Sequence, residues 1–275
     1  MNKRTLLVVV LAALLVGALA VSRALAHDMD GMDMGNDSAD SDDGSSGAVA
    51  GMGKRMAVSG HMTMTKPRAP TPADTERGAV IIQTMRDQLG KYQDYKVAEA
   101  AGYLPYMETV PQDIYHFTSK QKAQAEYLGD VDLKYPGSLL YEKKPFGGYK
   151  LVGAMYSAPP TYTPEQLDRI IPLGLTRWHE HTNICLPPGI TAEEVMDGQI
   201  MPHPVASMLG TIRHTDPRVG FFADPRFGFM GTIADAGGCE AVGGNFHPMI
   251  FGWMVHVYPF AGADDLKVAF GMDAP

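Results

Sequence analysis

The sequence predicts an α+β or mainly β fold: a single irregular domain with a central antiparallel sheet, short helices and an N-terminal helix. Three observations carry that expectation. Several short segments are apolar, aromatic and β-prone; capping signals bracket only brief helical stretches; and 30 glycines with 20 prolines punctuate the 275 residues too often for long elements. A hydrophobic content of 45% with 9% aromatic residues is sufficient for a sizeable core.

The first 26 residues read as an export signal peptide. Lys3 and Arg4 supply a positive start, Leu6 to Val21 is nearly all apolar, and Ala24-Leu25-Ala26 fits a small-x-small cleavage site before His27. An uncleaved membrane anchor is the alternative, since the apolar run lies between the usual lengths of the two. No other segment is apolar enough to span a bilayer, so no integral membrane contact is expected after cleavage. The expected location is the periplasm or the extracellular space.

Residues 27–72 read as a disordered, Met/His/Asp-rich tail. Asp, Gly, Ser and Met dominate, and there is too little aliphatic bulk to offset the entropy of ordering. Seven of the chain's 18 methionines lie here, at 29, 32, 34, 52, 56, 62 and 64, with His27 and His61. The runs "HDMDGMDM" and "HMTM" interleave thioether, imidazole and carboxylate, ligands that suit copper in both oxidation states. An acidic solvating linker is the plainer reading of the same residues.

Residues 73–275 read as the globular metal-binding domain. A helix is expected near Ala73, capped by Asp74, because Val80, Ile81, Met85, Leu89 and Tyr92 recur at helical spacing, and it should stop by Gly102. Further on, "KQKAQAEYL" suits a few helical turns. "SLLYEKK" and "YKLVGAMYSA" should be two strands joined by the turn at Pro145–Gly148. Thr163 with Pro164 and Gln166, and Thr191 with Glu194, mark two brief helices. The run "DPRVGFFA" at Asp216 is echoed by "DPRFGFMG" at Asp224, and residues 252–258 should form a buried strand.

Between the two capping signals lies "TRWHEHTNIC". If it is extended, His179, His181, Asn183 and Cys185 share one face, and two imidazoles are offered to a single ion without moving the backbone. In a helix the two rings would diverge and the chelate would fail. His256 in the apolar "GWMVHVYP" is the expected third ligand, because a buried imidazole needs a hydrogen bond or a metal. His116 in "IYHFTS" is the fourth. Glu180 or Glu108 could add a carboxylate; His247 and Met249 rank next, and His203 and His214 rank last. A blue-copper set of Cys239, His247 and Met249 is the weaker alternative, and Cys185 with Cys239 more simply form one disulfide.

Copper is the expected ion, with iron or zinc as alternatives. Without Lys3, Arg4 and Arg23, 20 basic residues face 31 acidic ones, a formal charge of −11 that argues against nucleic acid as a partner. No H-E-x-x-H, G-x-S-x-G, phosphate loop or C-x-x-C occurs, which disfavours the common hydrolases, nucleotide enzymes and thiol oxidoreductases. The expected function is therefore an exported copper-binding protein with a multi-histidine site, involved in copper handling. A mononuclear metal-dependent oxidoreductase using the same histidines, with Trp178, Phe251, Trp253 or Tyr258 lining its pocket, is one alternative. A non-metal structural or binding domain, with the histidines more than about 8 Å apart, is the other.

The blocks "PGSLLYEKKPFGGYKLVGAMYSAP", "TRWHEHTNICLPP" and "FGWMVHVYPF" resemble those of an uncharacterised family of exported bacterial proteins. The resemblance spans roughly residues 75 to 260, implies an exported single domain, and brings no activity or cofactor with it.

Overall fold

A seven-stranded antiparallel sheet organises the protein, whose computed structural model describes residues 60–108, 114–197, 224–261 and 265–271. The expected leader, most of the Met-rich stretch, His203, His214 and the first Asp-Pro-Arg run lie outside the described residues. In chain order the strands are β1 (Met62–Met64), β2 (Leu104–Pro105), β3 (Tyr115–Thr118), β4 (Ser138–Lys143), β5 (Tyr149–Ala158), β6 (His179–Leu186) and β7 (Asn245–Val257). Across the sheet they run β1-β6-β7-β5-β4-β3-β2. The helices are α1 (Pro72–Leu89), α2 (Tyr95–Ala100), α3 (Lys120–Tyr127), α4 (Pro164–Ile170), α5 (Ala192–Met196), α6 (Ala236–Ala241) and α7 (Leu266–Ala269). The architecture is thus the α+β arrangement expected from the sequence.

One face of the sheet carries the main core. Phe117, Leu139, Tyr141, Ala154, Tyr156, Val255 and Val257 alternate inward from β3, β4, β5 and β7 and pack with Trp178 and with Ile81, Ile82, Met85 and Leu89 of α1. The tyrosines find acceptors within this layer: Tyr141 donates to the Tyr92 carbonyl at 2.6 Å and Tyr156 to the Leu133 carbonyl at 2.7 Å.

Local chemistry sets the element ends. Thr71, rather than Asp74, caps α1; Asp74 is the return partner of the capping box, accepting from the Thr71 amide at 2.8 Å. Arg68 fixes the same carboxylate and also reaches Asp168 at 2.7 Å, joining α1 to α4. The boxes at Thr163 and Thr191 form as their sequences indicate. Gly147 and Gly148, at φ 94° and 76°, close the β4–β5 turn with backbone angles that L side chains resist.

Three boundaries differ from expectation, the first being that the helix expected to run to Gly102 ends at Leu89 and is followed by the separate α2. The Met-rich stretch does not end at residue 72: Met62–Met64 pairs with β6, so the sheet begins inside it. Paired strands bury backbone polar groups that a composition count does not register. Strand β7 begins at Asn245 rather than at Gly252. It contains an irregularity at Phe251, whose φ of 69° is costly for a bulky residue.

Candidate metal centre

The sheet register gathers the imidazoles. His116 of β3 stands opposite Leu140, and Leu140 opposite Gly153; Met155, two residues along β5, stands opposite His256 of β7. Met254, two residues before His256, stands opposite His179, and His181 follows at the same strand phase. Opposed residues in antiparallel strands project to one face, as do residues two apart. His116, His256, His179 and His181 therefore lie on the face opposite the main core.

Between His179 and His181 the register slips by two residues of β7, around Phe251, and an even slip keeps both rings on that face. Gly252 is required there, because a Cβ at this position would strike the Ala158 carbonyl. Gly153 is constrained likewise by the Val257 carbonyl and the Tyr258 ring and backbone. Strands β3 and β7 are three spacings of about 4.8 Å apart in the sheet order, yet the His116 and His256 rings meet.

The rings follow one another in a row. His116 and His256 have centroids 5.5 Å apart, His256 and His179 5.2 Å, and His179 and His181 5.6 Å. The His116 and His256 Nε2 atoms are 3.5 Å apart. Two imidazoles sharing a tetrahedral ion through bonds of about 2.0–2.1 Å would place their nitrogens about 3.4 Å apart, so this pair already has ligand spacing. The His181 Nδ1 is buried with no hydrogen-bond partner, as expected of a donor atom whose acceptor is an ion. Among the described residues, no three His, Cys, Asp or Glu side chains are grouped so that they could hold a metal ion as they stand. Ring rotation within the row would be needed to bring a third nitrogen to the His116–His256 pair.

The surroundings keep His116, His179 and His181 neutral. His179 is buried, and His116, His181 and His256 are half-buried. Desolvation, followed by the neighbouring imidazoles, pushes His116 and His181 down to about 3 and holds His179 well below the ordinary imidazole range. A neutral imidazole is the form that binds metal. Phe229 lies 5.1 Å from the His181 ring, Phe251 6.0 Å from it, and Tyr258 6.1 Å from the His256 ring. Of the aromatic residues expected to line a pocket, Phe251 and Tyr258 are here, while Trp178 is buried in the main core and Trp253 packs against that core.

Other sequence candidates go elsewhere. Cys239 is bonded to Cys185, with their Cα atoms 5.6 Å apart, which removes the thiolate that a Cys239–His247–Met249 blue-copper set needs. His247, opposite Ile184, lines a separate depression of about 450 Å³ with Asn245, Phe246 and Ile190. Glu180 stands opposite Thr63, at the strand phase of the other face, and Glu108 accepts from the Tyr149 hydroxyl at 3.5 Å.

Three residues escaped the sequence reading as parts of this centre. Met62 and Met64 stand directly opposite His181 and His179 on β1. His61 is fully buried, its Nδ1 3.0 Å from the Asn183 carbonyl and its Nε2 2.7 Å from the Gly231 carbonyl. It holds the sheet edge together and is not available as a ligand in a flexible tail. The only hint was "HMTM" itself, whose alternation is that of a strand. No family model, curated protein or solved structure matches this chain.

Proposed function

We propose that this chain is an exported copper-binding protein whose imidazole face, His116, His256, His179 and His181, holds the ion for copper handling. The observation that carries the reading is the row of four rings with its 3.5 Å Nε2 pair and the unpartnered Nδ1 of His181. Copper is favoured over zinc or iron because the Met-rich stretch leading into the sheet offers soft thioethers beside imidazole and carboxylate. The Met/His/Asp segment before residue 60 would collect or deliver the ion. The leader-like residues 1–26 and the Cys185–Cys239 disulfide support a location outside the reducing cytosol.

Elemental analysis of chain equilibrated with copper and desalted tests the reading. About one copper per chain is expected, falling below about a tenth when His179, His181 and His256 are replaced by alanine. Wild-type chain holding less than about a tenth of any metal overturns it.

A metal-dependent oxidoreductase is the second reading, favoured by the half-buried state of His116, His181 and His256, which leaves the rings within reach of solvent. Consumption of dioxygen or peroxide by the copper-loaded chain, lost in His181→Ala, is its signature. Absence of turnover removes it.

A further inference from the structure

The edge strand beside the imidazole row is made of the last residues of the Met-rich stretch. Met62 is opposite His181 and Met64 opposite His179. Across the row, Met254 is opposite His179 and Met155 opposite His256. Opposed residues in antiparallel pairs share a face, so each of these imidazoles has a thioether as its cross-strand neighbour, and His179 has one on either side. Met62, Met64 and Met155 are half-buried and Met254 is buried, as His116, His181 and His256 are half-buried and His179 buried.

A three-residue strand at a sheet edge is marginal on its own, yet β1 is tied down along its whole length. The Asn183 side-chain amide donates to the Gly60 carbonyl at 2.9 Å, and the Thr182 amide to the His61 carbonyl at 3.0 Å. The His61 ring bridges to β6 and to the Gly231 turn. At the other end the Thr65 amide donates to the Trp178 carbonyl at 2.9 Å, and the Arg177 guanidinium to the Thr65 carbonyl at 2.8 Å. These contacts fix the register that sets two methionines against two histidines. A one-residue slip would turn both sulfur atoms to the opposite face.

We infer that the centre is a mixed imidazole–thioether site selective for copper in its monovalent state, with Met62 and Met64 supplying soft ligands to an ion held by His179 and His181. The inference rests on the metal-binding reading above and adds the oxidation state and the ligands that choose it. Thioether sulfur selects Cu(I), whereas Cu(II) and Zn(II) are satisfied by imidazole and oxygen. Met62 and Met64 are therefore required for the monovalent ion and nearly dispensable for the divalent ones.

The test is a pair of competition titrations on the full chain, Cu(I) against bathocuproine disulfonate under anaerobic reducing conditions short of disulfide cleavage, and Cu(II) against nitrilotriacetate. The variants are Met62→Leu with Met64→Leu, whose side chains nearly conserve volume, and Met249→Leu, which stands opposite Thr182 at the strand phase of the other face. The double variant should lose about tenfold or more in Cu(I) affinity and less than about threefold in Cu(II) affinity, with Met249→Leu matching wild type in both. Circular dichroism confirms that each variant is folded. Unchanged Cu(I) affinity in the double variant, or a parallel loss for both ions, overturns the thioether assignment while leaving the histidine site standing. Failure of the wild-type chain to bind either ion overturns the histidine site and the thioether assignment together.

Discussion

A neutral imidazole at the bottom of a sheet face costs little until it is asked to take a proton. His116, His179 and His181 all bind protons less readily in the folded chain than in the unfolded one, because burial and mutual repulsion disfavour the charged ring. The unfolded state therefore holds more protons between about pH 3 and about pH 6.5, and stability of the metal-free chain falls as pH drops through that window, by about 1.4 kcal/mol per pH unit for each proton taken up. Urea unfolding at a series of pH values should show this slope, and His116→Asn should reduce it. Glu126 works in the opposite sense. Its carboxyl is buried and, although it accepts from the Gly137 and Ser157 amides at 2.7 and 2.8 Å, desolvation pushes it up to about 8. Its folded value is above the unfolded one near 4.3, so its contribution is complete at low pH and is lost as pH rises from about 4.5 to about 8. The difference between wild type and Glu126→Gln should shrink over that range; a difference that grows with pH contradicts the assignment.

Among the elements, the Cys185–Cys239 bond and strand β1 hold the walls of the centre. The bond joins β6 to α6 across 54 residues of chain, and closing a loop of that length stabilises by about 4 kcal/mol on the chain-entropy model. Gly244 makes room for it, since a Cβ there would stand 2.6 Å from the Cys185 sulfur. Replacing both cysteines with serine should lower the unfolding free energy by a few kcal/mol in urea titrations, and a loss below about 1 kcal/mol would show that strain cancels the constraint. Strand β1 depends on His61. Its replacement by alanine removes the buried ring that lies within hydrogen-bond distance of the Asn183 and Gly231 carbonyls and should cost about 1–3 kcal/mol. Hydrogen exchange should then speed up at Met62–Met64 before it does in β4 and β5. Uniform exchange across the sheet would mean that β1 does not open separately.

At the scale of the whole molecule, one sheet separates two jobs. The face against α1 is filled with aromatic and aliphatic side chains, and the opposite face carries the imidazoles with Phe229, Phe251 and Tyr258 around them. An ion that binds the folded chain alone stabilises it by mass action, about 2.7 kcal/mol at a hundredfold excess over Kd. Copper should therefore raise the melting temperature by roughly 5–10 °C. The His179/His181/His256 alanine variant should show no such rise, and an equal rise in that variant would place the ion elsewhere.

Much of this organisation is legible in the chain. The capping boxes at Thr163 and Thr191, the turn at Gly147 and Gly148, and the alternation of "RWHEHTNIC" depend on neighbours a few residues apart, where dihedral preferences and strand period act directly. The common face of His179 and His181 follows from that period, and two cysteines allow only one intramolecular pairing. What lies between strands is decided by register, which no local pattern expresses. Only the sheet order sets His256 beside His179 and His116, and makes Met62 and Met64 an edge strand. Sequence by itself determined which ligand types this protein carries and which share a strand face. The tertiary structure decided which of them meet, because pairing between strands distant in the chain depends on the combined burial of the whole sheet.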